Sequence, residues 1–228
     1  MKRIFAWLIA VIALGAAAAL YFWPEGEKPQ PQARATPAPP PEPAIRYPVE
    51  PVAPPAESLP PLAESDGVVG DALIALFGQG LYKLGNLQDI VRRGVVTIDN
   101  LPRQHMSLRL MPVKPVTGLP LTAKVGEGLV LSPENAARYQ PYMLLADAVS
   151  TQALVALYAR FYPLFQQQYE SLGYPDKYFN DRVVQVIDHL LATPEVEGAV
   201  TLIQPEVLYE FADPELESLS IGQKTLLR

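Results

Sequence analysis

The chain has 228 residues, a formal net charge of −6 at pH 7, 25 prolines and no cysteine. The absence of cysteine excludes disulfides, thiolate nucleophiles and zinc–sulfur sites. The acidic balance argues against nucleic-acid binding, because proteins of that class use clustered Lys and Arg to neutralise phosphates.

Residues 4–23 form an uninterrupted apolar run without a charged side chain. As a helix, a run of this length spans roughly 30 Å, the thickness of a bilayer's hydrocarbon core. Lys2 and Arg3 precede the run, and positive charge favours the cytoplasmic side of a membrane. We therefore predict a cytoplasmic tip at residues 1–3, one transmembrane helix, and a single-pass protein of the bacterial inner membrane whose C-terminal domain lies in the periplasm.

The alternative interpretation of the apolar run is a cleaved signal peptide, since the alanines at residues 17–19 resemble a cleavage site. Signal peptides have shorter apolar regions, of about 7–15 residues, and are cleaved after them rather than inside them. The run also ends in aromatic residues 21–23, which suit the membrane–water boundary. No ionisable side chain lies within the run, so we predict a retained and passive anchor.

Residues 24–61 contain most of the prolines in the chain. Proline fixes φ and removes a backbone donor, so neither a helix nor a sheet propagates through this segment. We predict a disordered, semi-rigid stalk that reaches at most on the order of 120 Å, at about 3.1 Å per residue. A Pro-x-x-Pro peptide that docks in a partner's aromatic groove is the alternative.

Residues 62–228 are predicted to form one periplasmic globular domain, mainly helical (α+β), with minor antiparallel hairpins. Helix starts are indicated by N-cap residues at Ser65, Asn86, Ser132, Ser150, Asn180 and Asp213. Alternating apolar residues predict a hairpin over residues 121–131 and short strands over residues 199–203 and 207–211. Pro163 is expected to kink the longest helix.

Tyrosines are concentrated between residues 139 and 178. Tyr158 and Tyr169 fall on the apolar stripe of the longest predicted helix and are expected to pack in the core. The others of interest lie near the proline and the following loop, and we predict that they form a binding surface for sugar or peptide: Tyr162, Tyr174 and Tyr178.

Charge is segregated along the domain. Residues 83–124 are rich in bases, including Arg92 and Arg93, whereas residues 195–217 contain acids and no base. One interpretation is a basic face around Arg92 and Arg93 that binds an anionic envelope polymer or a protein partner. The other is that the two regions dock and neutralise each other within the fold.

Common catalytic motifs are absent from the sequence. There is no Gly-x-Ser-x-Gly, no Ser-x-x-Lys and no glycine-rich phosphate loop, so no catalytic residue or cofactor is predicted. His105 and His189 have no carboxylate at ligand spacing, so no metal site is predicted. We expect His105 to be exposed and His189 to bond the terminal carbonyls of its helix. A general base oriented by Asp188 is the alternative role of His189.

Four stretches of the domain carry a family resemblance: residues 138–139, 157–175, 188–194 and 222–224. Together they resemble an uncharacterised bacterial membrane-anchored family, domain of unknown function 3014. The resemblance covers roughly residues 59–228. It implies an N-terminal span, a proline-rich stalk and one helical domain, and it implies no activity, ligand or site.

These patterns predict a non-catalytic, membrane-anchored binding or scaffold protein of the cell envelope. Its stalked domain would hold a protein or an anionic envelope polymer, with no nucleic acid and no cofactor. Two alternatives stay open at this point. One is a cell-wall (peptidoglycan) hydrolase or lyase, and the other is a subunit of an envelope assembly or secretion complex. The sequence leaves the oligomeric state open.

Overall fold

A computed structural model describes residues 45–50 and 58–228. The predicted cytoplasmic tip, the membrane span and most of the stalk lie outside these residues. Within the described part, no single helix is long and apolar enough to cross a membrane. One bent pair of helices, Pro133–Asp147 and Thr151–Ser171, meets the length and composition requirement when the two are taken together. All elements below belong to one compact unit, Glu42–Arg228.

The described residues are mainly helical with a small antiparallel sheet, which confirms the predicted class for this part of the chain. The helices are α1 (Asp66–Phe77), α2 (Leu81–Leu84), α3 (Ile90–Asn100), α4 (Gln140–Asp147), α5 (Thr151–Ser171), α6 (Phe179–Leu191), α7 (Pro214–Glu217) and α8 (Ile221–Leu226). Short 3-10 segments occur at Leu62–Glu64, Leu108–Leu110 and Pro133–Tyr139. The strands are β1 (Thr122–Val125), β2 (Gly128–Leu131), β3 (Thr201–Ile203) and β4 (Glu210–Phe211).

The four strands form one antiparallel sheet in the order β1-β2-β3-β4. β1 and β2 are the predicted hairpin, with Thr122 opposite Leu131 and with Gly126 in the left-handed region at the turn, where φ is 61°. β2 also pairs with β3, which places Leu129 opposite Leu202. Residue periodicity predicts the separate strands, but it carries no signal for this long-range pairing.

The start of α3 shows a helix cap supplied from another helix. Asn86 is the predicted N-cap, but its side-chain amide donates instead to the Met111 carbonyl, and the helix begins at Ile90. The Asp66 carboxylate of α1 accepts the backbone N–H of Asp89 at 2.7 Å and that of Ile90 at 3.0 Å. It thereby satisfies donors that a helix leaves free at its N-terminus.

The longest helix, α5, begins and packs largely as predicted. The Ser150 hydroxyl accepts the Ala153 N–H at 3.2 Å and caps the helix. The helix continues through Pro163 as one element, and the proline itself is exposed. Leu154, predicted on the buried stripe, is half exposed, because the first turns of α5 extend beyond the packed core.

The core lies where α1, α3, α5 and α6 meet, in two adjoining clusters. The first contains Val69, Ile90, Val91, Phe161 and Leu164, and the second contains Val95, Tyr162, Tyr169 and Phe179. α5 contributes to both clusters, since successive helical residues point about 100° apart. The second cluster holds α6 and the loop before it by packing contacts. This loop forms part of the site described below.

Residues 45–50, which we call the strap, lie against the first turn of α6. The Val49 amide donates to the Tyr178 hydroxyl at 2.9 Å, and Val49 packs on the second core cluster. The strap lies before the predicted domain boundary at residue 62, and it nevertheless contacts the domain. The division of the whole chain into tip, span, stalk and domain stays a prediction.

Candidate functional site

An open cleft of about 970 Å³ lies between the C-terminal end of α3, the α5–α6 loop, the start of α6 and the strap. Its charged lining residues are Arg46, Asp99, Arg103, Glu170, Asp176, Lys177, Asp181 and Arg182. Tyrosine rings and glutamine amides complete the lining: Tyr169, Tyr174, Tyr178, Gln166 and Gln185. This mixture of charges, amides and aromatic rings suits a polar ligand.

Asp99, in the last turn of α3, binds two arginines of the cleft. It is 5% exposed. Arg182 Nε donates to its Oδ1 at 3.0 Å, and Arg103 Nη2 donates to its Oδ2 at 3.0 Å. Arg182 Nη2 also donates to the Asp99 backbone carbonyl at 2.7 Å, which satisfies a carbonyl at the helix end. One buried carboxylate therefore positions two guanidinium groups.

The two guanidinium groups differ in exposure. The side chain of Arg103 is 55% exposed, whereas that of Arg182 is 25% exposed. A guanidinium has five N–H donors, and Asp99 takes only one from Arg103. The cleft as a whole is lined by four basic and four acidic side chains, but the two arginines share the one buried carboxylate of Asp99. The exposed guanidinium of Arg103 therefore suits a carboxylate or phosphate group.

Two stacked tyrosines form the neighbouring wall. The rings of Tyr169 and Tyr174 have centroids 4.6 Å apart and an interplanar angle of 25°. Burial, with the nearby negative charge of Asp99, raises the pKa of the Tyr169 hydroxyl. Tyr174 is half-buried, and the Lys177 ammonium lies 5.4 Å from its ring centroid. A ring of fixed orientation therefore faces the cleft beside the arginines.

The structure brings two of the three predicted surface tyrosines, Tyr174 and Tyr178, together in the cleft. Tyr162 is buried instead of exposed, because its position on α5 turns it toward the start of α6. Its hydroxyl donates to Gln166 Oε1 at 3.0 Å and accepts the Asn180 N–H at 3.2 Å. Its burial raises its pKa. Tyr162 therefore supports the wall that Tyr178 lines.

The predicted arginine pair lies outside the cleft. Arg92 is exposed on α3. Arg93 is partly buried; its Nε donates to the Gln88 carbonyl at 2.7 Å, and its Nη1 donates to the carbonyls of Arg109 and Met111. These bonds hold the segment after α3 against the helix. Whether either arginine binds a partner stays a prediction.

Three ion pairs occur in the described residues: Arg103–Asp99, Arg182–Asp99 and Lys224–Glu217. None of these three joins the basic region, residues 83–124, to the acidic region, residues 195–217. Mutual neutralisation of the two regions therefore has no direct ion pair to support it in residues 45–50 and 58–228.

His189 makes the contact that most resembles a catalytic pair, but the residues around it stabilise the fold. Its Nε2 lies 2.9 Å from the Ser220 hydroxyl, a distance typical of a nucleophile and its base. Ser220 is buried, however, and its Oγ accepts the Gln223 N–H as the N-cap of α8. A hydroxyl that caps a helix away from solvent cannot reach a substrate. His105 is exposed, as expected.

Two stretches of the family resemblance meet around α8. The Gln223 side-chain amide donates to the His189 carbonyl at 3.2 Å, and the Gly222 N–H donates to the Leu101 carbonyl at 3.0 Å. Residues 188–194 and 222–224 therefore fasten α8 to α6 and to the end of α3. The C-terminal part of the stretch 157–175, by contrast, lines the cleft.

Replacing Gly222 by alanine is expected to destabilise the domain by roughly 1–3 kcal/mol. An added Cβ would lie 2.6 Å from Leu190 Cδ2 and 3.0 Å from the Leu101 carbonyl oxygen. The leucine end can move, but the carbonyl belongs to the packed backbone. Urea unfolding of the full chain, followed by circular dichroism, measures the change.

Gly94→Ala is the matched control for Gly222→Ala. An added Cβ at Gly94 meets nothing within 4 Å, and the residue lies inside α3. Alanine there should be neutral or stabilise by about 0.5–1 kcal/mol. Equal stabilities of the two variants would contradict the close approach at Gly222.

The cleft belongs to a mainly helical domain whose described residues include no group of three or more His, Asp or Glu side chains placed to hold a metal. Residues 90–228 match the family model described as "Protein of unknown function (DUF3014)". This match covers more than half of the chain, so the protein belongs to that family. No curated protein and no solved structure matches the chain. All cleft residues except those of the strap lie within the matched range.

Proposed function

We propose that this protein is a non-catalytic binding protein of the bacterial cell envelope. In this proposal residues 4–23 anchor it in the inner membrane, the proline-rich stalk spans part of the periplasm, and the domain holds a partner in its cleft. The partner is an anionic envelope polymer or a protein that presents an anionic group. The observation that carries the proposal is the pair of arginines held by the buried Asp99.

Preorganisation supports a binding role for this end of the cleft. Arg103 has an exposed guanidinium whose position is fixed by Asp99, so less side-chain freedom is lost when a ligand binds. The adjacent Tyr174 offers its half-buried aromatic ring to the same ligand, while its hydroxyl donates to Asp99 Oδ2 at 3.4 Å. A carboxylate or phosphate that accepts two N–H donors from a guanidinium fits this arrangement.

The carboxylates of the cleft favour binding over the hydrolase alternative. A glycosidase needs two carboxyl groups that flank the scissile bond. Asp99 is buried and bound to two arginines, and Asp181 accepts backbone N–H groups of the strap. Glu170 and Asp176 are exposed, where a carboxyl group has no buried environment to prepare it as a general acid.

A tether makes a weak binding site effective. A domain confined near a membrane by a stalk meets a partner of the same compartment at a raised local concentration. The apolar run at residues 4–23 and the proline-rich segment support this part of the proposal. The function is therefore positioning, in which the stalk sets the reach and the cleft supplies the contact.

The proposal is tested by co-sedimentation of the full chain, in mild detergent, with purified cell-wall sacculi. Arg103→Glu should reduce the bound fraction about tenfold, because it replaces an attraction with a repulsion at the cleft. Lys124→Glu is the matched control, since Lys124 is an exposed base on β1 outside the cleft. Arg92→Glu tests the basic-face version in the same assay.

Three results would contradict parts of this proposal. Soluble fragments released from the sacculi by the wild-type chain would contradict a non-catalytic role. Equal binding by the Arg103→Glu and Lys124→Glu variants would contradict the cleft as the binding site. No sedimentation of the wild type would remove the cell-wall polymer as the partner.

A further inference from the structure

The strap is held on α6 by hydrogen bonds to its backbone. The Asp181 carboxylate, in the first turn of α6, accepts the Arg46 N–H at 3.1 Å and the Tyr47 N–H at 2.8 Å. One carboxylate thus binds two consecutive amides of an extended segment. Such bonds to a charged acceptor are stronger than bonds between neutral groups.

Neighbouring side chains of the same turn bind the rest of the strap. Asn180 Nδ2 donates to the Tyr47 carbonyl at 2.9 Å, and the Tyr178 hydroxyl accepts the Val49 N–H at 2.9 Å. Every one of these bonds uses backbone groups of the strap and side chains of the domain. The surface therefore binds the backbone of an extended segment. Pro48 favours an extended conformation at the residue before it.

We propose that the first turn of α6 is a docking surface for an extended, proline-containing segment, that the chain's own strap occupies it, and that departure of the strap opens the cleft. Ile45 and Arg46 line the cleft, so the docked strap forms one of its walls. A ligand in the cleft and a tensile force along the proline-rich segment act on the same contacts, those between the strap and the first turn of α6. The functional meaning of this coupling rests on the proposed binding role of the cleft.

The strap is suited to release because little of it is buried. Within residues 45–50 only Val49 is partly buried, and the other five residues are exposed. Segments with few buried apolar contacts and solvent-exposed hydrogen bonds open locally at low cost. The strap also precedes the domain in the chain, so its release leaves α1 to α8 in place.

Hydrogen exchange of the full chain, followed by mass spectrometry, tests the docking. The Arg46, Tyr47 and Val49 amides should exchange about tenfold faster in Asp181→Ala than in the wild type, since two of them lose their acceptor. Asp176→Ala is the matched control: Asp176 is an exposed carboxylate of the same cleft, and no hydrogen bond joins it to the strap among the described residues. It should leave exchange unchanged.

A second variant guards against an effect on α6 itself. Tyr47→Pro removes one donor from the strap and changes no residue of the domain, so the remaining strap amides should again exchange faster.

Opening of the cleft is measured by nitration of Tyr174 and Tyr178 with tetranitromethane, mapped by mass spectrometry. Both rates should rise at least about twofold in Asp181→Ala and stay unchanged in Asp176→Ala.

Each outcome decides one part of the inference. Unchanged exchange in both Asp181→Ala and Tyr47→Pro would overturn the docking surface. Faster exchange with unchanged nitration would overturn the opening of the cleft. Because neither measurement uses a ligand, this inference and the proposed binding of sacculi can fail separately.

Discussion

Replacing Asp99 by alanine is expected to lower the free energy of unfolding by roughly 2–4 kcal/mol. The substitution leaves Arg182 and Arg103 without the carboxylate that holds them, and Arg182 is mostly buried. The more exposed Arg103 can regain water, so the loss is smaller than for a fully buried ion pair. Urea unfolding at pH 7 gives the value.

Two further variants change exposed residues of the cleft and serve as a comparison for the buried Asp99. Arg103→Gln should cost about 0.5–1 kcal/mol, because the bond that it removes lies at the surface. Asp176→Ala should change stability by less than about 0.5 kcal/mol. A loss no larger for Asp99→Ala than for Asp176→Ala would show that Asp99 does not organise this end of the cleft.

Truncating Phe179 to alanine should cost roughly 3–5 kcal/mol, through lost burial and the cavity left behind. Phe179 is 0% exposed and is the first residue of α6. Its ring lies 5.3 Å from the Tyr169 ring and 6.2 Å from the Phe165 ring, measured between centroids. Thermal and urea unfolding of the full chain measure the loss.

Leu191→Ala is the control for Phe179→Ala, because it truncates a large apolar side chain of the same helix. Leu191 is 78% exposed at the end of α6, so its loss should stay within about 0.5 kcal/mol. Similar losses for the two variants would mean that the second core cluster does not hold α6 on α5.

Local signals predicted much of the fold. The hairpin of β1 and β2 and the caps at Ser150 and Asp213 follow from residues that are close in sequence, and the structure shows each of them. The start of α3 could not be predicted this way, because its cap is Asp66 of another helix. α8 did carry a local signal: Ser220 with Gln223 three residues later is a capping box, and the structure contains both of its bonds.

The candidate site was only half predictable. Tyr174 was expected at a binding surface from its residue type and its loop position. Asp99 and Arg182 are 83 residues apart in the chain, and only the packing of α3 against α6 brings them together. One signal could have marked the aspartate: it lies four residues after the fully buried Val95, on the same face of α3. An acidic residue on an apolar face needs a partner.

The position of the strap bears on how the domain should be expressed for experiments. A recombinant fragment that starts at residue 62 would omit the strap and leave the Asp181 carboxylate and the Tyr178 hydroxyl without the amides they bind. A fragment that starts at Glu42 retains the whole compact unit. Ligand screens on the shorter fragment would sample a wider cavity mouth than the native protein offers.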